Sequence, residues 1–441
     1  MVKDNFKVIV GLGQTGYSVA RYLSATGVDY CVVDDDPMPA RLSDLQAFKP
    51  GIEVRPMEQE LLLQANEIII SPGVPLSLPE IRAALRQGVP VTGDVAMFGD
   101  LAEAPVIAIT GSNGKSTVTS MVGACAKDQI NGVRIAGNIG TPCLDVLDDC
   151  AELYVLEVSS FQLELASELP VKVAVVLNLS PDHMDRYASV EDYYKVKIKI
   201  YKHCEIAVLN RDITFQFDSR NAHKITFGSD VPYSDTDYGL RQTGSGPVLY
   251  QGQTELMHAS ELKQKGKHNV QNALATLAIG HAADLDISEM INSLLKFEGL
   301  PHRCEWVGKI DGVAYVNDSK ATNVGASIAA VESFADGKNI ILILGGEGKG
   351  GDFSMMSRAV SQNVKKLLVF GHDKELIAKS LSQFAPVEIC SDLAEVIAVA
   401  AASSSTGDTV LFSPACASFD MFENYQDRGR EFKRLVLEKT S

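Results

Sequence analysis

The sequence predicts an α/β protein of three domains: a Rossmann-like N-terminal domain, a P-loop ATPase-like central domain and a Rossmann-like C-terminal domain. Three observations carry that prediction. Apolar β-branched runs alternate with helical patterns along the whole chain, the signature of mainly parallel sheets. The chain has 441 residues, too many for one typical core. Glycine-rich turns close two of the strands near the front of the first and second units, at Gly11 to Gly16 and at Thr110 to Thr117.

The first unit, residues 1–93, opens with a strand over Phe6 to Val10, followed by Gly11-Leu12-Gly13-Gln14-Thr15-Gly16. A second strand, Tyr30 to Val33, ends at Asp34, so glycines at the first turn are followed by an acid about 20 residues later. That pattern indicates a nucleotide or diphosphate site without specifying a nicotinamide dinucleotide. A third strand, Glu67 to Ile70, runs into the turn Ser71-Pro72-Gly73-Val74-Pro75.

The central unit, residues 94–298, begins with the buried-strand pattern Val106 to Ile109 and the loop Thr110-Gly111-Ser112-Asn113-Gly114-Lys115-Ser116-Thr117. A helix follows over Val118 to Lys127. Strand, glycine-rich turn, Lys-Ser and helix form a phosphate cradle, because glycines let backbone N–H groups approach and the helix N-terminus adds positive potential. The loop is shorter than the general pattern, since Ile109 stands where that pattern has its first glycine. Lys115 is placed to pair with terminal phosphates, and the Ser116 hydroxyl to face Mg²⁺. Further strands are expected at Leu153 to Val158, Val173 to Leu179 and Ile206 to Leu209. Residues 211–262 read as polar and turn-rich, with weak strand signals, and Gly266 to Gly280 as a turn and an Ala-rich helix.

Glu157, at a strand end beside the P-loop strand, suits a Mg²⁺ ligand. His183, in Asn178-Leu179-Ser180-Pro181-Asp182-His183-Met184-Asp185, could be a base, a metal ligand or a structural histidine. Lys195, Lys197 and Lys199 alternate as a solvated basic face would. A lysine becomes a hard-metal ligand only with its charge changed, as when CO₂ converts the ammonium to a carbamate.

The third unit, residues 299–441, follows Gly299-Leu300-Pro301. Its strands are expected at Val313 to Val316, Ile340 to Leu344, Lys366 to Phe370 and Val410 to Phe412. His302-Arg303 could reach phosphates across a domain gap. Asn317 to Asn323, Gly345 to Gly351 and Ser413-Pro414 are polar loops at strand ends, where open α/β sheets bind ligands.

Composition narrows the function. Hydrophobic residues make up 46% and charged residues 22%, as in globular proteins. The formal net charge of −16 with no basic run argues against nucleic acid as a partner. No apolar stretch is long enough for a bilayer, and no signal-peptide layout is visible. The eight cysteines are scattered without a Cys-x-x-Cys, as expected of reduced thiols in a cytoplasmic protein.

Taken together and in order, these segments resemble the Mur ligases, ATP-dependent amino-acid ligases of peptidoglycan synthesis. The resemblance spans the whole chain, from Gly11-Leu12-Gly13 and Ser71-Pro72-Gly73 through Gly137-Asn138-Ile139-Gly140, Leu156 to Gln162, Asp182 to Tyr187 and Gly266-x-His268-Asn269. The stretches Asn317 to Asn323 and Ser413 to Ser418 point to the branch that adds D-glutamate to UDP-N-acetylmuramoyl-L-alanine.

The resemblance implies UDP-, ATP- and amino-acid-binding domains, an acyl-phosphate intermediate, two Mg²⁺ sites and a cytoplasmic monomer. It implies that Gly111, Ser112, Asn113, Gly114, Lys115, Ser116 and Thr117 bind ATP, with Asn269, Asn272, His302, Arg303 and Asp318 facing the nucleotide. Ser116 and Glu157 would serve one Mg²⁺. His183 and a carbamylated Lys197 would hold the other, and Lys320 would sit near the reacting groups. Gln14, Thr15, Asp34, Gly73 and Asn138 would line the UDP-substrate site. Thr322, Lys349, Ser418 and Phe422 would bind D-glutamate. Asp35-Asp36 depart from a family pattern that often has a basic residue there, and Glu347 stands where an Asp is common. Another Mur ligase, a folylpolyglutamate synthase, or a regulatory module with an N-terminal NAD sensor are the competing readings.

Overall fold

The computed structural model describes residues 6–166, 169–184, 186–215, 222–264 and 266–438, so Asp185 of the His183 segment lies outside them. Three sheets follow one another along the chain. The first has the order Val54–Arg55, Tyr30–Val33, Lys7–Val10, Glu67–Ile70, Val91–Thr92, all parallel. Helices cover both faces, so its strands read as apolar runs rather than alternations.

The central sheet has nine strands among the described residues. From one edge they are Val133–Gly137, Leu153–Glu157, Val106–Thr110, Val171–Val176 and Cys204–Asn210, all parallel. Val106–Thr110 is buried throughout, and the helix Lys115–Lys127 that leaves it packs against the Ala-rich helix Lys267–Ala282. The alanines allow that close approach, and Ala273, Ala275 and Ala278 are buried.

Residues 211–262 differ from their polar, turn-rich reading. Four strands, His223–Phe227, Asp237–Thr243, Gly246–Gln251 and Thr254–His258, extend the central sheet, the last three as an antiparallel meander. Their apolar content is thin because this end of the sheet is half solvated. Burial is concentrated on Phe227, Tyr238, Val248, Leu249 and Met257, and a register shift at Leu249/Tyr250 breaks the alternation that would have marked a strand.

The third sheet runs Glu305–Ile310, Val313–Asn317, Thr409–Phe412, Ile340–Gly345, Val364–Phe370, Val387–Ile389, parallel except for its first pair. Ile340–Gly345 is buried over its whole length, as a central strand must be. One apolar cluster runs from Ile9, Leu12 and Val19 of the first unit through Val95 and Phe98 to Val106, Ala108 and Tyr154 of the central one. The third unit has two clusters of its own. Among the described residues no helix is long and apolar enough to cross a membrane.

Candidate active site

The P-loop leaves its strand at Thr110 and enters its helix through Gly114, whose φ of 82° serves as the left-handed N-cap. A Cβ there would lie 2.8 Å from the Asn272 side-chain oxygen, so only glycine fits. The loop is fastened from the next strand: the backbone N–H of Asn113 donates to Asn178 Oδ1 at 2.8 Å, and Ser112 Oγ to the Ser180 carbonyl at 2.8 Å.

Lys115 Nζ donates to the carbonyls of Gly111 and Ser112, at 2.8 and 3.0 Å. Lys197 Nζ donates to the same Gly111 carbonyl at 2.9 Å. Two lysines therefore meet on one oxygen. Burial lowers the pKa of both, and at Lys197 the neighbouring Lys115 adds to the depression, which takes it well below the usual lysine value.

Why Lys197 is buried follows from its helix, Val190–Ile198, which Ser189 caps by accepting the Asp192 N–H. Tyr193 and Lys197 are four residues apart and share its inward face, whereas Lys195 points to solvent. The apparent alternation of lysines was thus an accident of spacing on a helix.

Glu157 ends the neighbouring strand and is 2% exposed. Its Oε1 accepts from Asn138 Nδ2 at 2.7 Å, while Oε2 is buried without a hydrogen-bond partner. Asn138 reaches it because Gly137, at φ 104°, runs so close to the Glu157 carbonyl that a Cβ would sit 2.2 Å away. Glu157 and Ser116 line one polar cavity, and an orphaned buried carboxylate oxygen beside it is what a divalent cation would satisfy. Among the described residues no three His, Cys, Asp or Glu side chains form a ready metal cage.

That cavity holds about 260 Å³ and is lined by Lys115, Ser116, Asn138, Glu157, His183, Lys197, Arg303, Lys320 and Thr322, among others. His183 sits at φ 56°, its ring 4.7 Å from that of Phe161. Asp182 beside it accepts from Asn323 Nδ2 at 3.0 Å. A second cavity, of about 300 Å³, adjoins it through Asn113, Gly114, Arg303 and Lys320 and is lined also by Thr117, Asn269, Asn272 and Asp318. A third, of about 470 Å³, meets the first at Asn138 and is lined by Gln14, Thr15 and Gly73.

Arg303 comes from the third unit, yet its Nη2 donates to Ser116 Oγ at 2.6 Å. Lys320 lies 4.1 Å from the Tyr425 ring centroid, and burial with Arg303 nearby lowers its pKa to about 8. Asp318 accepts from Ser413 Oγ at 2.7 Å and from the Cys304 N–H at 3.1 Å, and burial raises its pKa to about 6.

Because the folded pKa of Asp318 lies above its ordinary value of 3.8, the native state binds more protons than the unfolded one between about pH 4 and 6. Its contribution is therefore fully present below pH 4 and lost as pH rises through that window. Urea denaturation midpoints should fall from pH 4 to 6 more steeply in the wild type than in Asp318→Asn. Parallel slopes would remove Asp318 as the titrating group.

Several expected site residues do not line these three cavities. His302 lines none of these cavities; its Nδ1 is 2.9 Å from Asn317 Nδ2 and its ring packs over Gly429. Asp34 accepts the Leu12 and Asp36 N–H groups, at 2.7 and 3.0 Å, and braces the glycine turn behind the third cavity. Lys349, at φ 49°, and Ser418 stand on adjoining loops of the third sheet, joined by the Glu347–Ala417 bridge, outside the three cavities. Phe422 packs into an apolar cluster with Phe412 and Phe432. Tyr425, which no sequence motif marks, is the aromatic against Lys320.

Arg428 is unmarked in the sequence as well. Fully buried, it donates to the Ser319, Cys416, Ala417 and Gly345 carbonyls at 2.8 to 3.3 Å and so clasps three strand-end loops. Nothing in the charged helix Tyr425–Glu438 set it apart from a surface arginine.

A phosphate cradle that receives a cation from a separate domain is the mark of a nucleotide-dependent enzyme whose site is assembled between domains. Comparison with known proteins makes the class specific. The Mur ligase MurD-like N-terminal domain matches residues 5–93, the Mur ligase middle domain residues 109–280, and the Mur ligase glutamate ligase domain residues 302–416. The chain is 43% identical over 445 residues to the UDP-N-acetylmuramoylalanine–D-glutamate ligase of Pseudomonas fluorescens, with 99% of each covered. It is 45% identical over 442 residues to that of Hahella chejuensis, again with 99% of each covered. The fold matches MurF ligase from Thermotoga maritima in complex with ADP, at TM-score 0.61 and 18% identity over 100% of this chain and 97% of that one. It also matches UDP-N-acetylmuramate-alanine ligase MurC from the same organism, at TM-score 0.59 and 21% identity over 98% and 99%. The chain belongs to the Mur ligase family.

Proposed function

We propose that this protein uses ATP to join D-glutamate to UDP-N-acetylmuramoyl-L-alanine, in cytoplasmic peptidoglycan precursor synthesis, acting as a monomer. One observation supports the reading beyond the relatives' names: two cavities share the P-loop residues Asn113 and Gly114, and a third, walled by the first unit, meets the catalytic one at Asn138. Residues 1–93 would bind the UDP substrate, 94–298 ATP, and 299–441 D-glutamate.

A carboxylate is a poor acyl donor, so its oxygen first takes the γ-phosphoryl group and ADP departs. The D-glutamate amine then attacks the acyl carbon, the amide forms, and inorganic phosphate leaves. The protein supplies position and charge. Lys115, Arg303 and the P-loop N–H groups hold the phosphates. Asn138 orients the muramoyl-peptide end next to Glu157, and Lys320, with its lowered pKa, stands where the acyl phosphate would lie. Asn269, Asn272 and Asp318 line the nucleotide side, with His302 behind them.

The unpartnered Glu157 oxygen and the Ser116 hydroxyl fit one Mg²⁺. His183 and a carbamylated Lys197, which line the same cavity, would hold a second, and bound cations would neutralise phosphate charge. Two ammonium groups on the Gly111 carbonyl are electrostatically unfavourable, and a depressed pKa leaves Lys197 more often as the neutral amine that CO₂ attacks. Both support the carbamate.

Thr322, Lys349 and Ser418 would select D-glutamate. A lysine is a point charge, so the hydroxyls must fix the carboxylate's orientation. Lys349→Ala should raise the KM for D-glutamate about tenfold or more, the effect of losing one charged hydrogen bond, and leave the KM for ATP nearly unchanged. The deciding assay follows phosphate release with UDP-N-acetylmuramoyl-L-alanine and D-Glu, L-Glu, D-Asp, L-Lys or meso-diaminopimelate. Preference for a diamino acid would assign the chain to another branch of the family.

A further inference from the structure

We infer that Arg186 is a positioning residue that couples the wall of the UDP-side cavity to the floor of the catalytic cavity. It rests on the proposed function for the identity of the ligands, and on geometry for the coupling itself.

Arg186 follows the Asp182-His183 loop in the central unit, but its side chain crosses to the first. Its Nη1 donates to the Pro72 carbonyl at 2.9 Å and reaches that of Gly73 at 3.5 Å, and its Nη2 reaches that of Val74 at 3.4 Å. Nη2 also donates to Glu164 Oε2 at 2.7 Å, in an ion pair whose two side chains are only 12% and 13% exposed. The guanidinium carbon lies 4.1 Å from the centroid of the Phe161 ring. The backbone N–H of Arg186 closes the turn on the His183 carbonyl at 3.0 Å.

Apart from the Glu164 ion pair, these contacts end on cavity walls. Pro72, Gly73 and Val74 line the UDP-side cavity. Phe161 and His183 line the catalytic one. On its other side the Ser71 to Val74 turn is held by Ser71 Oγ, which donates to the Gly11 carbonyl at 2.8 Å. The turn is therefore clamped between the glycine turn of its own sheet and a cation from the next domain.

Three successive carbonyls converge on one planar guanidinium. A lysine could satisfy one of them, but it could not span the turn, pair with Glu164 and stack on Phe161 at once. Neither cavity contains Arg186 as a lining residue, so it acts through the groups it holds.

The test uses the full-length protein and steady-state kinetics of Arg186→Lys, Arg186→Ala and Glu164→Gln. Both arginine variants should raise the KM for UDP-N-acetylmuramoyl-L-alanine about tenfold or more, the factor of one lost charged hydrogen bond, while the KM for ATP moves less than about twofold. Glu164→Gln should shift the same KM in the same direction by less, with an unchanged circular dichroism spectrum. If Arg186→Ala does not fold, Arg186→Lys and Glu164→Gln carry the test. An unchanged KM for the UDP substrate in an active wild-type background overturns this inference alone, and so does an equal rise in both KM values, the pattern of a merely structural role. A wild type that does not turn over that substrate overturns the functional reading and this inference with it.

Discussion

Lys115→Ala should lower turnover by about a thousandfold while the fold is retained, since a single preorganised donor at a developing charge commonly contributes 10²–10³ in rate. The reasoning starts from where the ammonium lies. It is anchored on the Gly111 and Ser112 carbonyls, at the mouth of a helix whose N-terminus already favours anions. Burial disfavours its charge, and Glu157 and Asp182 partly restore it. A phosphoryl group entering that place would restore it further, so the transition state gains what the resting site lacks. Phosphate release and circular dichroism measured side by side decide the matter. Turnover within about tenfold of wild type, with an unchanged spectrum, would remove the loop from catalysis.

The second large effect is expected at Lys197. Lys197→Ala should be nearly inactive, and a short carboxylic acid in solution should restore part of the rate by standing in for the carbamate. The wild type should lose activity after exhaustive removal of CO₂ at mildly acid pH, where carbamates decompose, and regain it with bicarbonate. The alanine variant should show no response to bicarbonate. A wild type indifferent to CO₂ depletion, with Lys197→Ala unresponsive to carboxylic acids, would leave the residue as a plain buried amine packed against Tyr193.

What the sequence made legible was local. The P-loop lies in eight consecutive residues, and its strand, turn and helix are dictated by their own composition. Glu157, at a strand end, and the Ala-rich helix after Gly266 could be found the same way. What it hid depends on separations that no window spans. Arg303 and Ser116 lie 187 residues apart in the chain, and Arg428 reads as one more charge on an amphipathic helix. Lys197 stands out from its neighbours only through the family resemblance, because burial of one lysine among three depends on which face of the helix meets the P-loop. Tyr425, which touches Lys320, carries no sequence signal of its own at the head of its helix. Residues 211–262 concealed four strands because a half-solvated meander with a register shift carries little periodic signal.

The apolar cluster that runs from Ile9 to Tyr154 has a bearing on how the molecule unfolds. A cut at residue 93 passes through the middle of that cluster, stranding Val19 and Leu23 on one side and Phe98 and Val106 on the other. The opposite face of the first sheet likewise borrows Leu165 from beyond the cut. The units proposed to bind separate ligands are therefore not separate in cohesion: the first two share one apolar cluster, while the third has clusters of its own and meets the central unit through polar contacts such as Arg303–Ser116, Asn323–Asp182 and His268–Ser333. Parting the first two would bare their common interior to water.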